Sequence, residues 1–475
     1  MRGLCAVVAS VVLLSGCATV SPFAPDYDRE ESTLSADELY ARQTYLEARD
    51  AQTQARPETI ARWWTQLGDP VLNDLVERGL ERNREIDAAV ATLNIARANL
   101  SLSRSDYIPT DSQSLSWQRV GTASAAVGGF SVPDQTILDA GISALWEWDL
   151  FGLIARGIEV AEADLLQGEA LLADIQALVV ADIAETYQTL RGLEAQLAVV
   201  RENIATLERT RELTLIIRDA GRGTDLDVER ANEQLASTRA GLSPLRLQID
   251  AARYQLGVLT GQTPPQVFDV VSKSQPLALV SDPIPVGRPE ALLRRRPDIR
   301  AAEFALVEAN ATIGLRRSQA FPVIGLAGSF GLTSTRVENI FDSESRSYTI
   351  GPSLSFSAVE FIRQEDRVAA ATAGAQTQLA NYELTVLRAL AEVETALSAE
   401  AEYMRQIEEL NEARRAAREA ARLARIRFES GATAFLTVLD AERRSIEADN
   451  ALARARTNAA IAQVGVFRAL RAGPV

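Results

Sequence analysis

There is no histidine in the 475 residues, and methionine and cysteine occur twice each, as Met1 and Met404 and as Cys5 and Cys17. Without imidazole, a Ser-His-Asp triad has no base and the commonest metal ligand is missing. Two thiols cannot assemble a zinc site of the Cys-built kind, and two distant thioethers cannot line a path for a soft metal. Lysine occurs once, as Lys273, and the formal net charge is −15, which argues against nucleic acid or an anionic headgroup surface as the main partner. Aromatic residues make up 6% against 47% hydrophobic residues, with alanine filling much of that share. That balance suits closely packed long helices better than a globular enzyme core. No Gly-x-x-x-x-Gly-Lys-Ser/Thr phosphate loop is present. Ala327-Gly328-Ser329-Phe330-Gly331 has alanine where a nucleophile elbow needs its first glycine. The expectation is a protein that is not an enzyme, with no catalytic residue, no cofactor and no metal.

What is present begins at the N-terminus. Arg2 precedes an apolar stretch from Leu4 to Leu14, too short to span a bilayer, and Leu14-Ser15-Gly16-Cys17 follows. The tetrapeptide resembles the bacterial lipobox. Residues 1–16 are therefore expected to be a signal peptide, with Cys17 acylated and residues 17–62 a lipidated, extended N-terminal segment. Ala18 and Thr19 carry no aspartate that would resemble an inner-membrane retention signal, so the outer membrane is the expected destination. With Cys5 removed and Cys17 acylated, the mature chain has no disulfide to form.

The body of the chain is written twice. Ile86, Ala88, Ala89, Ala96, Ser105 and Pro109 precede Ile299, Ala301, Ala302, Ala309, Ser318 and Pro322 by the same interval (299 − 86 = 213). Such a duplication makes each half a structural unit that is completed beside a copy. The first repeat is placed at 63–265 and the second at 290–475, with a proline-rich linker or equatorial segment at 266–289. Gly152 to about Ala220 is free of proline, and its apolar or small positions alternate steps of four and three from Ile175 through Val179, Ile183 and Leu190 to Leu207. This is a coiled-coil period, and a helix of about 65 residues would be about 100 Å long. Ile362 to Glu429 is its counterpart, and the return helices are Leu226–Leu259, interrupted at Pro244, and Phe435 to about Leu470. Gly221 and Gly431 sit at the two joints and suit the left-handed residue that ends a helix.

Residues 110–150 and 323–360 change period. Tyr348, Ile350, Pro352, Leu354 and Phe356 alternate with Thr349, Gly351, Ser353, Ser355 and Ser357. Ile142, Ala144, Trp146 and Trp148 alternate in the same way with Ser143, Glu147 and Asp149, Leu145 excepted. Strands of about 10 residues, greasy on one side and polar on the other, fit a membrane barrel. Gly121–Pro133 and Arg336–Arg346 read as surface loops between the strands of each pair. Two hairpins give four strands per chain, fewer than the smallest barrel, and an open sheet leaves its edge amides unpaired in lipid. Closure demands further copies, and cyclic symmetry supplies them.

Several segments together resemble a known family: Leu292-Leu293-Arg294-Arg295-Arg296-Pro297-Asp298-Ile299, Trp146-Glu147-Trp148-Asp149-Leu150-Phe151-Gly152, Asp69-Pro70 with Leu72 and Leu75, and Leu439-Asp440-Ala441-Glu442-Arg443. The chain is similar to the TolC-like outer-membrane factors, within them to the lipoprotein branch of OprM- and NodT-type efflux components, essentially from Cys17 onward. The resemblance implies a mostly α fold with β structure. It would be a homotrimer whose twelve-stranded β-barrel in the outer membrane continues into a long periplasmic α-helical barrel. It implies a periplasmic adaptor (membrane fusion protein) and an inner-membrane pump of the RND type as partners. Carried over residue by residue, Leu436 and Asp440 would ring the closed aperture and Arg443 would join the contacts that hold it shut. Adaptor contact would fall on Gly221, Thr224, Leu226, Gly431 and Thr433. The family's arginine four residues before the joint glycine is present as Arg427 but replaced by Ile217 in the first repeat. The competing expectation is a periplasmic coiled-coil lipoprotein scaffold or adaptor without a pore.

Overall fold

The computed structural model describes residues 61–121, 133–272, 275–280, 284–289 and 294–473; the signal segment, Cys17 and most of the Gly121–Pro133 loop lie outside them. Among the described residues the first repeat contains α1 (Pro70–Arg82), α2 (Arg84–Ser105), β1 (Thr110–Val120), β2 (Gln135–Trp148), α3 (Leu153–Asp219), α4 (Asp225–Ala240) and α5 (Leu242–Leu259). After α6 (Pro264–Val271), the second repeat contains α7 (Pro297–Ser318), β3 (Val323–Ser334), β4 (Arg346–Ser355), the single-turn α8 (Ala358–Ile362), α9 (Gln364–Glu429) and α10 (Phe435–Ala469). Two compact units divide this chain, and neither is a repeat. One draws on Leu93–Gly168 and Ala302–Tyr382, the other on Glu169–Ala301, Glu383–Val475 and the described residues before Leu93.

The expected boundary at residue 265 falls inside α6. Pro264 and Pro265 start that helix: proline is tolerated in the first turn, and Thr263 forms a reciprocal cap with Gln266. The interruption expected at Pro244 lies three residues earlier, at Gly241, where α4 ends and α5 begins. Pro244 sits in the first turn of α5, where its missing N–H would have had no helical partner. Both long helices match their expected extents, α3 with 67 residues and α9 with 66.

The four strands form one antiparallel sheet in the order β1-β2-β3-β4, so the central β2–β3 pair joins the two repeats. The register runs without a bulge and carries the side-chain alternation across the whole sheet. Ile142 pairs with Gln113 and Phe330, and Phe330 with Tyr348; Trp148 pairs with Ile324, and Ile324 with Leu354. One residue along each strand, Ser143 pairs with Ser112 and Ser329, and Ser329 with Thr349. One face is thus apolar and the other small and polar, with Leu145 on the polar face as the sequence indicates. A soluble sheet would cover its apolar face, but here Ile350 is 75% exposed, Leu354 67% and Leu115 78%. Among the described residues, β1 and β4 leave both edges of the four-stranded sheet without a partner strand.

The sheet passes into α3 through the Trp146–Gly152 segment. Asp149 accepts the Ile154 and Ala155 amides at 3.1 and 2.8 Å, satisfying the first turn of the helix. Gly152 adopts φ +74° to turn the chain. In the other unit, Val179, Val180, Ile183, Ala184 and Leu190 of α3 are at most 1% exposed, each larger side chain contributing about 1.5–3 kcal/mol. Asp69 caps α1 through the Val71 and Leu72 amides and also accepts a short hydrogen bond from the Tyr187 hydroxyl. Burial and that bond push the phenol well above its usual range.

Candidate functional site at the helical joints

Both joints are closed by the same backbone device. At the first, Arg222 N–H donates to Ile217 at 3.0 Å and Gly221 N–H to Arg218 at 2.8 Å. At the second, Ala432 N–H donates to Arg427 at 2.7 Å and Gly431 N–H to Phe428 at 2.9 Å. This nested pair satisfies the last helical carbonyls and needs a left-handed residue at the glycine position. Gly221 has φ +73° and Gly431 φ +76°, as the sequence suggests. Space differs between them: a Cβ on Gly221 would meet nothing within 4 Å, whereas one on Gly431 would meet Arg222 Nη2 at 2.7 Å.

The return helices begin differently. Thr224 caps α4 in a reciprocal box with Asp227, so its hydroxyl is held by its own helix. The equivalent position in the second repeat is Ala434, which offers no side-chain cap. Thr433 instead bonds the Thr437 hydroxyl at 3.1 Å. The two threonines therefore occupy different positions of the joint. Leu226 and Leu436 do correspond, and both stand in solvent in the single chain, 58% and 54% exposed.

The three residues assigned to the aperture lie along the first turns of α10. Asp440 is exposed and pairs with Arg444 at 3.1 Å one turn on. An exposed pair of this spacing contributes about 0.3–0.5 kcal/mol, too little to fix the carboxylate firmly. Arg443 donates to Gln234 of α4 at 3.3 Å from both Nε and Nη2, linking the first helical hairpin (α3 and α4) to the second (α9 and α10) within one chain.

A polar seam behind these residues escaped the sequence reading. Glu442, 3% exposed, accepts Thr210 at 2.7 Å and Arg425 at 2.6 Å. One heptad on, Asp449, 5% exposed, accepts Arg414 at 2.8 Å and Arg418 at 2.9 Å. The seam of α3 accordingly buries Asn203, Thr210 and Thr214, while the expected Leu197 and Ile204 are only half-buried. The first repeat holds the same contact with the charges exchanged: Arg239 donates to Glu208 at the positions equivalent to Asp449 and Arg418 (449 − 239 = 418 − 208 = 210). A sequence signal existed, since charged residues at heptad spacing on facing helices mark such ladders, but it needed the register between helices.

A second polar centre lies at the Arg-Arg-Pro-Asp-Ile segment. Arg296, 1% exposed, grips Asp298 through two nitrogens at 2.9 and 2.6 Å, reaches Glu392 at 2.9 Å and donates to the Ala469 carbonyl at 2.5 Å. In the first repeat Asn83 donates in the same way to the Leu259 carbonyl at 2.9 Å. Burial works to raise the Asp298 carboxyl, but the bonds and charges of Arg296 and Arg471 outweigh it and hold it below the usual range. At Asp174 burial prevails over Arg471 and the carboxyl is pushed up. Among the described residues no group of three or more acidic, cysteine or histidine side chains could hold a metal ion.

The family model described as outer membrane efflux protein matches residues 75–262 and 289–470. The chain is 30% identical to outer membrane protein OprJ of Pseudomonas aeruginosa over 424 residues, 89% of this chain and 88% of that one. It is 28% identical to the probable efflux pump outer membrane protein TtgC of Pseudomonas putida over 477 residues, 99% of this chain and 96% of that one. The solved outer-membrane channel OprN superposes with a TM-score of 0.84 at 33% identity, covering 95% of this chain and 99% of that chain.

Proposed function

The chain belongs to the outer membrane efflux protein family, and from that premise we propose how it works: three copies close into one tube that passively conducts small molecules out of the cell. It is an outer-membrane channel, the exit duct of a tripartite efflux system, extending from the outer membrane into the periplasm. The observation that carries the reading is the four-stranded sheet with one exposed apolar face and two open edges. Three such sheets bring the twelve strands of a closed barrel, with lipid on the apolar side and water on the serine-rich side. A scaffold without a pore has no use for such a sheet.

In this reading the tube is non-catalytic and uses no cofactor, and energy comes from an inner-membrane pump of the RND type through a periplasmic adaptor. Gly221, Thr224, Leu226, Gly431 and Thr433 meet the adaptor, with Thr224 acting by holding the joint's shape. Three copies of Leu436 form an apolar constriction that impedes water and ions. Three copies of Asp440 face one axis and repel, so Arg444 and Arg443 decide how closely the helices approach. Cys17 carries the lipid that tethers the N-terminus.

One preparation tests the assembly. The purified chain should run as a trimer by light scattering in detergent, with an intact mass showing an acylated chain that begins at Cys17, and should conduct ions across a planar bilayer. A stable monomer that conducts nothing overturns the proposal. Asp440→Ala is expected to raise the resting conductance several-fold, because each Arg444 loses the carboxylate that neutralises it and three uncompensated guanidiniums then repel across the ring. An unchanged single-channel record removes Asp440 from the aperture.

A further inference from the structure

Each repeat carries two complementary faces at its joint, and one pairing of them is made within the chain. On the first hairpin, Leu207, Thr210, Thr214 and Ala231 are at most 4% exposed. The second hairpin covers them. Thr210 donates to Glu442, Ala231 packs with Phe435, Val438 and Leu439, and Gln234 accepts from Arg443 at 3.3 Å. The same face of the second hairpin, 210 positions on (441 − 231 = 210), is Ala417, Ala420, Ala424 and Ala441. It forms an open groove of about 490 Å³ with Arg427 and Arg444 along it. Leu423 stands in this groove 47% exposed.

The face that would cover it is identified by the same interval. Phe435, Leu439 and Arg443 of the covering hairpin correspond to Asp225, Glu229 and Glu233 of α4, all exposed. Four residues apart, these three carboxylates share one side of the helix. We propose that the groove receives this acidic stripe of α4 from a second copy of the chain, with Glu233 of that copy paired to Arg444. The inference rests on the proposed trimer and specifies which side chains join its copies.

Charge favours the fit. Arg444 engages its own Asp440 through Nε alone, and a guanidinium has four further N–H donors for an incoming carboxylate. The intrachain pair Arg443–Gln234 thus becomes, between copies, the ion pair Glu233–Arg444. Farther from the joint the complementarity ends: Glu202 and Arg418 become Glu412 and Glu208, which already have Arg415 and Arg239 as partners. Contacts around the ring therefore alternate in chemistry. Within a chain they are buried hydrogen bonds and apolar packing; between copies they are exposed ion pairs, which salt screens far more strongly. The ring parts first between copies.

The test is a cysteine pair, Glu233→Cys with Arg444→Cys, in a chain whose only other cysteines are Cys5 and Cys17. Oxidation should produce covalent trimers on non-reducing gels from the double variant, and none from either single variant. A second measurement uses Glu233→Arg and Arg444→Glu. Each alone should lower trimer association by about tenfold at low salt, three exposed pairs acting together. The double exchange should restore it, and 1 M salt should erase the difference. Trimers that form in detergent but neither cross-link nor respond to the charge exchange overturn this interface and leave the trimer standing. A chain that stays monomeric overturns both.

Discussion

Gly431→Val is expected to abolish the efflux that this duct supports in a strain lacking its own, whereas Gly431→Asn should retain most of it. The residue stands at φ +76°, where a side chain meets the following carbonyl oxygen at about 1–2 kcal/mol, and more when the side chain is β-branched. Asparagine tolerates this region, so it separates backbone strain from mere bulk. The cheapest relief for valine is to leave the left-handed region, which breaks the bonds from Gly431 and Ala432 to Phe428 and Arg427 and turns the start of α10. Leu436 and Asp440 lie on the first turns of that helix, so the damage falls on the end of the hairpin assigned to the adaptor and the aperture. Gly221→Val carries the same backbone cost but has open space around its Cβ. It should retain more activity than Gly431→Val, because it leaves the start of α10, with Leu436 and Asp440, in place. Efflux rates, with trimer content checked by light scattering, decide the matter. Full efflux in the valine variant at normal trimer level would contradict it.

Much of the architecture was legible because it rests on periodicity. The step of three and four in α3, the alternation in β2 and β4 and the glycine of each joint are local patterns with a single physical meaning, and the structure places each where the pattern does. The displaced break has a local cause. Pro244 reads as an interruption, but proline is neutral in the first turn of a helix, and where that turn begins depends on the preceding residue, here Gly241. The buried charges were missed for a different reason. Glu442, Asp449 and Arg296 look like surface residues until the helix that faces them is known, because a charge is buried only where a specific partner compensates it. The repeat held the information for one of them: Glu208–Arg239 and Arg418–Asp449 are the same contact with signs exchanged.

Arg296→Met is expected to cost about 3–5 kcal/mol of stability, the range for breaking a buried ion pair by removing one partner. The side chain is 1% exposed, and its loss leaves the half-buried Asp298 with the Ile299 amide and with Arg471, 3.9 Å away, and leaves the Ala469 carbonyl without its donor. Glu392 is half-exposed and water replaces the arginine there, so the cost centres on Asp298. Arg296→Lys should recover only part, since an ammonium cannot reproduce the two-nitrogen grip on the carboxylate and still reach the carbonyl. The pH dependence follows from the sign of the shift. In the native chain the folded Asp298 carboxyl is held below its unfolded value of about 3.9, so it stabilises the fold above that pH. That contribution fades as pH falls through the lowered folded value. In Arg296→Met the opposing effect of burial is left with Arg471 and the Ile299 amide against it, so protonation harms the variant less than it harms the native chain. The stability gap between the two proteins, read as the difference in trimer dissociation temperature, should therefore be widest near neutral pH and shrink on acidification. A gap that stays constant, or a variant as stable as the native protein at pH 7, would show that Asp298 is not what Arg296 neutralises.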